Sequence, residues 1–416
     1  MHYVIIGNGG AGVSALQTIR NNDKKTDLTI ISKEKYPAYS PCSLPDLIGG
    51  EIEKPTIFRF DQNFYKNLNA NFIKNTEALK ISPANKEIHL SNGKKVKFDK
   101  LLISAGAKPI APKQIKGLNL SGVHIMGTLD SALGIIDHIN SGAKDAAIVG
   151  GGFMGIEAAI SLKNQGMNVT IVEMLPNILS RMLDSDISEK VAEILIDNKI
   201  NLVLNDTVNS INGDKKVTSV SLSKSKISCD MVVVAIGVRP NIDITKGSGI
   251  KTNLGIIVDS KMQTNKKNIF AAGDIAEVRE KIEGSIGSYA IWPNAIEQGR
   301  IAGLNMIGEK IKYDGAEIVN VLDIFDTPVV AMGRTSGEIG KYKEISRYTP
   351  QHSKKILLKK NKIVGLQFVG TIKNTGTFYG LMKKGTDVSD IKDRLLDDNF
   401  LIVPDTVLWI RFTIYK

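Results

Sequence analysis

Two glycine-rich turns of one kind, each set between an apolar strand and a helix-like stretch, constrain this 416-residue chain most. The first is Val4-Ile5-Ile6-Gly7-Asn8-Gly9-Gly10-Ala11-Gly12, and the second is Ala147-Ile148-Val149-Gly150-Gly151-Gly152-Phe153-Met154-Gly155. Both read G-x-G-x-x-G. The glycines permit a tight turn, close backbone approach to a pyrophosphate, and close helix–strand packing. The helix start then offers free N–H groups and a partial positive charge. One such turn is weak evidence; two in matching contexts imply two bound dinucleotides and electron transfer between them.

A second strand follows each copy, Leu28-Thr29-Ile30-Ile31 and Val169-Thr170-Ile171-Val172. The βαβ pattern, present twice, predicts an α/β fold with two doubly wound, Rossmann-like nucleotide-binding domains. Lys100-Leu101-Leu102-Ile103-Ser104-Ala105-Gly106 and Met231-Val232-Val233-Val234-Ala235-Ile236-Gly237 read as buried strands ending in small-residue turns. These are expected to be crossings where the chain passes beneath a nucleotide, at Ala105 and Gly106 and again at Gly237. Asn268-Ile269-Phe270-Ala271-Ala272-Gly273-Asp274 suggests that the first domain resumes after an inserted second one. From about Tyr313 the texture changes to alternating strands and a helical tail, an α+β module. The expected division is 1–112, 113–241, 242–312 and 313–416, with 242–312 returning to the first domain.

Composition excludes several classes. No stretch approaches the roughly 20 apolar residues of a membrane span, and strand-like sequence from Tyr3 leaves no room for a signal peptide. Cys42 and Cys229 make no disulfide framework, so a cytoplasmic setting is expected. Five scattered histidines form no metal-ligand spacing, and no metal is expected. The net charge of +11 accords with lysines spread over solvated faces, or with attraction of an anionic substrate or acidic protein partner. Nucleic acid is not expected, because no basic run is interleaved with aromatics.

Glu173 ends the strand after the second turn, where a carboxylate accepts both ribose hydroxyls of NAD and repels the 2′-phosphate of NADP. NADH is therefore expected over NADPH at Gly150, Gly152, Gly155 and Glu173, although Arg181 is near in sequence. The equivalent position in the first copy is Ser32, with Glu34 two residues on. That departure suits FAD at Gly7, Gly9 and Gly12, with Ser32 or Glu34 toward the ribose. Asp274 reads as a partner of a flavin ribityl hydroxyl, as a helix N-cap, or as both. Cys42 lies before Pro45 and Gly49-Gly50, which mark the first turn and end of a short helix. A thiolate there would be stabilised; a small cysteine packed in the core is the alternative. Cys229 precedes a core strand and reads as structural.

Together these residues resemble the pyridine nucleotide–disulfide oxidoreductase superfamily over nearly the whole chain. The resemblance rests on both glycine turns, Ser104-Ala105-Gly106, Ala235-Ile236-Gly237-Val238-Arg239-Pro240-Asn241, Ala272-Gly273-Asp274, and Trp292-Pro293-Asn294-Ala295-Ile296-Glu297-Gln298-Gly299-Arg300. It implies FAD and NAD domains, a C-terminal interface domain that forms a homodimer, and Trp292 beside the flavin. Cys42-Ser43-Leu44-Pro45 resembles the single-cysteine branch, which includes NADH oxidases and peroxidases, coenzyme A-disulfide reductases and polysulfide reductases. That resemblance implies a redox-active Cys42 and hydride transfer from NADH through FAD to a sulfur acceptor. Oxygen, or an iron–sulfur or rubredoxin-like protein, is an alternative acceptor.

Two departures stand out. Oxidase and peroxidase members place a histidine where this chain has Gly10. No tyrosine- and proline-rich motif like that of coenzyme A-disulfide reductases occurs in Leu401-Ile402-Val403-Pro404 or beyond. Arg20, and with it Lys66, stands where that group holds coenzyme A, which implies a substrate contact.

Overall fold

A computed structural model describes residues 1–61, 63–335 and 341–397; the stretch 401–404 lies outside them. The chain forms two compact units. One comprises Met1–Ile178 and Leu195–Glu317; the other comprises Leu179–Ile194 and the chain from Ile318. The second unit thus begins a few residues beyond 313 and takes in a segment from the middle of the chain.

The first unit contains both expected parallel sheets. In one, the strand order is Asn71–Ile73, Asp27–Ile31, His2–Ile6, Lys100–Ile103, Ile269–Ala271, all parallel. In the other it is Ile200–Val203, Asn168–Val172, Asp145–Val149, Met231–Val234, Val123–Ile125. Each places the strand entering its glycine turn at the centre. Both faces of these strands are covered, which is why they read as unbroken apolar runs rather than alternation. Val4, Ile5, Leu101 and Leu102 are fully buried in the first, and Ala147, Ile148, Val232 and Val233 in the second.

The two crossings pair with each other. Ala107–Pro109 runs antiparallel to Val238–Pro240. The Gly106 carbonyl accepts from the Asn241 N–H at 3.0 Å, and the Gly237 carbonyl from the Ile110 N–H at 3.0 Å. Ile269–Ala271 joins the first sheet beside Lys100–Ile103. Helix Trp292–Ile307 packs on helix Gly10–Asn22 so closely that a Cβ on Gly299 would lie 2.1 Å from the Ala11 carbonyl oxygen. Only glycine fits there.

The second unit is a five-stranded antiparallel sheet in the order Val319–Ile324, Thr327–Gly333, Lys362–Val369, Ser353–Lys359, Lys343–Tyr348. Helix Thr375–Lys384 packs on it, with Phe378 edge-on to Phe368. The segment Leu179–Ile194 is fastened to it by charge. Lys355, with its side chain 4 % exposed, reaches Asp186 at 2.7 Å, Asp184 at 3.3 Å and Glu344 at 3.4 Å. Gln367 donates to the Asp184 carboxylate at 3.0 Å and accepts from the Asp184 N–H at 2.7 Å.

Candidate functional site

Gly7 and Gly150 occupy the same backbone conformation, with φ of +107° and +110°, which an L side chain rarely adopts. Gly12 and Gly155 allow helix and strand to touch, since a Cβ on either would lie within about 2 Å of the carbonyl oxygen of Gly7 or Gly150. Above the turns the space is open: a Cβ on Gly9 or Gly152 meets nothing within 4 Å. No side chain caps either helix start, at Gly9 or at Gly152, so the first-turn N–H groups face that opening. Both turns are cradles of the shape a pyrophosphate requires.

At the second cradle Glu173 stands at the end of its strand. Its carboxylate accepts from the Gly151 N–H at 2.6 Å and the Leu175 N–H at 2.8 Å. The acid is thereby aimed at the turn, with lone pairs left for ribose hydroxyls.

The first cradle differs in the way its sequence does. Ser32 is buried at the strand end, at 5 % exposure. Glu34 accepts from the Tyr39 hydroxyl at 2.8 Å. Burial raises its pKa, the Tyr39 hydrogen bond opposes this, and the Asp130 charge adds to it. Asp274 follows the strand of Ile269–Ala271, and burial pushes its carboxyl up to about 6. A dry carboxyl of this kind suits hydroxyl donors from a ribityl chain. The turn before it is held by Gln298, which accepts from the Gly273 N–H at 2.8 Å, and by Ser288, which donates to the Asp274 carbonyl at 2.6 Å. The residues present fit FAD at the first cradle and NADH at the second.

Trp292 begins the helix beside the first cradle and lies against Gly10. A Cβ on Gly10 would come within 3.1 Å of two indole carbons and 3.3 Å of Ile296. The place that a histidine takes in oxidase and peroxidase members is filled by the indole. Arg59 lies over the outer indole face, 5.8 Å from the ring centre.

Cys42 sits in a 3₁₀ turn, Pro41–Ser43, that leads into helix Leu44–Gly49, with Gly50 as its left-handed cap. It is exposed, whereas Cys229 is buried and its thiol pushed up to about 12 by that burial and by Asp230 and Asp145. The expectation of a stabilised thiolate at Cys42 is corrected here. Its pKa is raised, first by the protein atoms around the sulfur, then by Glu157 and Asp274, while a hydrogen bond with Ser40 works the other way. Burial of the sulfur, the largest of these effects, acts against the charged form, and the two carboxylates add to it.

The expected substrate contact at Arg20 is also corrected. Arg20 is 3 % exposed, and its guanidinium donates to the carbonyls of Leu68 (2.6 Å), Asp23 (2.8 Å), Thr26 (3.1 Å) and Asn69 (2.9 Å). It fastens its own domain and has no free face for a substrate. Lys66 is exposed and lines a shallow depression with His2, Asp27 and Asn71. Those three begin their strands, so Lys66 lies toward the amino ends of the sheet, and the glycine turn lies at the carboxyl ends.

Several site residues went unnoticed in the sequence. Tyr65 donates to Asn8 Oδ1 at 2.8 Å and accepts from the Ala38 N–H at 3.1 Å, joining the glycine turn to the chain before Cys42. Glu157 lies on helix Phe153–Asn164 with Oε2 buried and without a partner. A single carboxylate in the otherwise apolar Ile156-Glu157-Ala158-Ala159 was the signal that could have found it.

The sequence profile of the family described as pyridine nucleotide-disulphide oxidoreductase matches residues 1–299. The chain belongs to this family. Among the oxidoreductases it resembles, an NADH oxidase of Methanocaldococcus jannaschii is 33% identical, covering 89% of this chain and 88% of that protein. An NADH-rubredoxin oxidoreductase of Clostridium acetobutylicum is 32% identical over 94% of this chain and 96% of its own length. The solved structure of an NAD-dependent persulfide reductase from A. fulgidus superposes with a TM-score of 0.90 at 26% identity, covering 97% of this chain and 80% of that one. As a pyridine nucleotide-disulphide oxidoreductase, the protein is an FAD- and NAD(H)-dependent flavoprotein enzyme. Among its described residues no helix is long and apolar enough to cross a membrane.

Proposed function

We propose that the enzyme uses NADH to reduce a sulfur substrate, a small disulfide, coenzyme A disulfide or persulfide, or polysulfide, through Cys42. The carrying observation is the setting of the thiol. Cys42 is exposed and within electrostatic reach of Asp274, from the first cradle, and of Glu157, from the helix of the second. An exposed sulfur within reach of groups from both cradles is where electrons leaving one nucleotide can be collected. Trp292 against Gly10 supports sulfur over peroxide chemistry, because the position of the polar partner for a sulfenate is filled by a ring.

Bound FAD supplies a two-electron relay between nicotinamide and sulfur. Gly150, Gly152 and Gly155 hold the NADH pyrophosphate, and Glu173 takes the ribose. Gly7, Gly9 and Gly12 hold that of FAD, with Asp274 on the ribityl chain. Gly106 and Gly237, on the paired crossings, let backbone pass close beneath. The net reaction is NADH + H⁺ + RSSR → NAD⁺ + 2 RSH.

Anaerobic turnover with NADH and a disulfide, compared between wild type and Cys42→Ser, tests the reading. Loss of disulfide reduction with retained NADH-to-flavin reduction supports it; full turnover without the thiol rejects it. A second reading, transfer to a small electron-carrier protein, is favoured by the likeness to the rubredoxin reductase and by the net charge of +11. Under that reading activity with an acidic carrier protein falls steeply with ionic strength and survives Cys42→Ser.

A further inference from the structure

One stretch of chain, residues 34–51, is hydrogen-bonded to elements of both cradles. Toward the first, the Ala38 N–H donates to the Tyr65 hydroxyl at 3.1 Å, and that hydroxyl donates to Asn8 of the glycine turn at 2.8 Å. Toward the second, the bonds reach two helices that pack on the second sheet. The buried Tyr39 hydroxyl accepts from the Leu129 N–H at 3.0 Å and donates to Glu34 Oε2 at 2.8 Å. Leu129 opens helix Leu129–Asn140, so its N–H belongs to the first turn, where the helix itself offers no acceptor. Tyr36 donates to Asp130, the next residue of that helix, at 2.6 Å. At the far end of the stretch, helix Leu44–Gly49 lies on helix Phe153–Asn164, which starts at the second glycine turn. There Ser161 donates to the Pro45 carbonyl at 2.8 Å, and Gln165 to the Gly49 carbonyl at 2.7 Å.

We propose that Tyr39 is a positioning residue for hydride transfer from NADH to FAD: it ties the first cradle to the helices of the second sheet, so that nicotinamide and flavin meet at one distance and angle. The inference goes beyond the sulfur reading, because the step that reduces the flavin is common to every acceptor. In that step two electrons and one proton leave the nicotinamide as hydride, and a second proton comes from solvent. NAD⁺ and reduced flavin result. The paired crossings, Ala107–Pro109 with Val238–Pro240, are a two-stranded ribbon, and a ribbon alone lets the parts it joins turn about it. Residues 34–51 add attachments outside that ribbon, Tyr39 near one end and Ser161 with Gln165 at the other. A small misplacement of donor against acceptor slows a transfer steeply, so these attachments act on rate more than on affinity. Tyr39→Phe keeps the ring and its packing, removes the hydroxyl, and cuts the tie between Glu34 and Leu129.

Anaerobic stopped-flow reduction of the holoenzyme by NADH gives a limiting rate and an NADH dissociation constant separately. Tyr39→Phe is expected to lower the limiting rate about tenfold and to change the dissociation constant less than about twofold. Gln165→Ala, at an exposed helix end, is expected to lower the rate about threefold, and it stands in should Tyr39→Phe not hold flavin. Dithionite, which needs no second nucleotide site, is expected to reduce the flavin of each variant at the wild-type rate. Amide hydrogen exchange, measured on the oxidised holoenzyme without NADH, is expected to quicken in peptides covering 34–51 in both variants, and in those covering 129–140 in Tyr39→Phe. Protection of the central strands His2–Ile6 and Asp145–Val149 is expected to stay at the wild-type value. A wild-type limiting rate or unchanged exchange in both variants would overturn the positioning role. So would equal slowing with NADH and dithionite, or exchange quickened throughout both sheets, either of which marks general damage to the fold.

Discussion

Trp292 rests against Gly10, with two indole carbons 3.1 Å from where a Cβ at position 10 would stand. Gly10 begins the helix after the first glycine turn, and Trp292 begins the helix packed upon it. The smallest and largest side chains are thus paired beside the first cradle. Restoring a histidine at position 10 means displacing the indole. Gly10→His is expected to cost about 1–3 kcal/mol of stability by overpacking and to lower flavin content. Gly10→His combined with Trp292→Ala is expected to recover most of the loss. Thermal melts and flavin-to-protein absorbance ratios measure both; equal stability of the single and double variants would count against the packing argument.

Glu173 accepts from Gly151 and Leu175 and faces the second cradle. If Glu173 takes the ribose as proposed, Glu173→Ala is expected to raise KM for NADH about tenfold and to narrow any preference over NADPH, since a carboxylate there accepts the ribose hydroxyls and repels a 2′-phosphate. Steady-state flavin reduction with each nucleotide provides the check. An unchanged preference would place discrimination elsewhere.

Arg20 ties four backbone carbonyls from two stretches of chain, Asp23 with Thr26 and Leu68 with Asn69. Arg20→Met leaves those acceptors buried without donors, and a loss of about 3 kcal/mol is expected. KM for coenzyme A disulfide is expected to stay at the wild-type value. A selective rise in that KM, without a change in melting temperature, would restore the substrate role.

The carboxyl of Asp274 is pushed by burial to about 6, above the roughly 3.9 of an unfolded aspartate. Between about pH 4 and 6 the folded, flavin-free chain therefore binds more protons than the unfolded one, and its stability falls as pH rises through that window. Asp274→Asn removes the penalty. The flavin-free variant is expected to melt higher than wild type at pH 7 and level with it at pH 4, yet to bind FAD more weakly. Melting curves at both pH values and a flavin fluorescence titration decide the matter.

In the second unit, Lys355 is buried against Asp184 and within reach of Asp186 and Glu344. Lys355→Met removes the buried cation that faces Asp184, Asp186 and Glu344, and about 3–5 kcal/mol of destabilisation is expected. Protease sensitivity of Leu179–Ile194, read by mass spectrometry of the nicks, should rise with it. A variant as resistant as wild type would mean that the Lys355 ion pairs do not hold the segment.

Much of the architecture was legible because it is written in local, periodic signals. Val4–Ile6 and Ala147–Val149 are apolar on both faces, and glycine follows where φ must be positive, so strand, turn and helix could each be read in place. The crossings at Ala105-Gly106 and Ile236-Gly237 were visible as small-residue turns, but their pairing with each other was not. The site was less legible, because its electrostatics come from residues far apart in the chain. Burial raises the Cys42 pKa first, and the charges of Glu157 and Asp274, from two other elements, add to it. The sequence offers Arg20 as a substrate contact, and only the folded chain closes the carbonyls of Leu68 and Asn69 around it. Leu179–Ile194 has no marker of its own for the second unit, since its partners Lys355 and Gln367 lie on distant strands.

The most direct test of sulfur chemistry at Cys42 is to trap it. The oxidised holoenzyme is mixed anaerobically with bis(2-hydroxyethyl) disulfide, without NADH, quenched in acid, and digested for mass spectrometry of the Cys42 peptide. A mixed disulfide on Cys42 that disappears when NADH is added is the expected result. Steady disulfide turnover with Cys42 unmodified at every time point would contradict it.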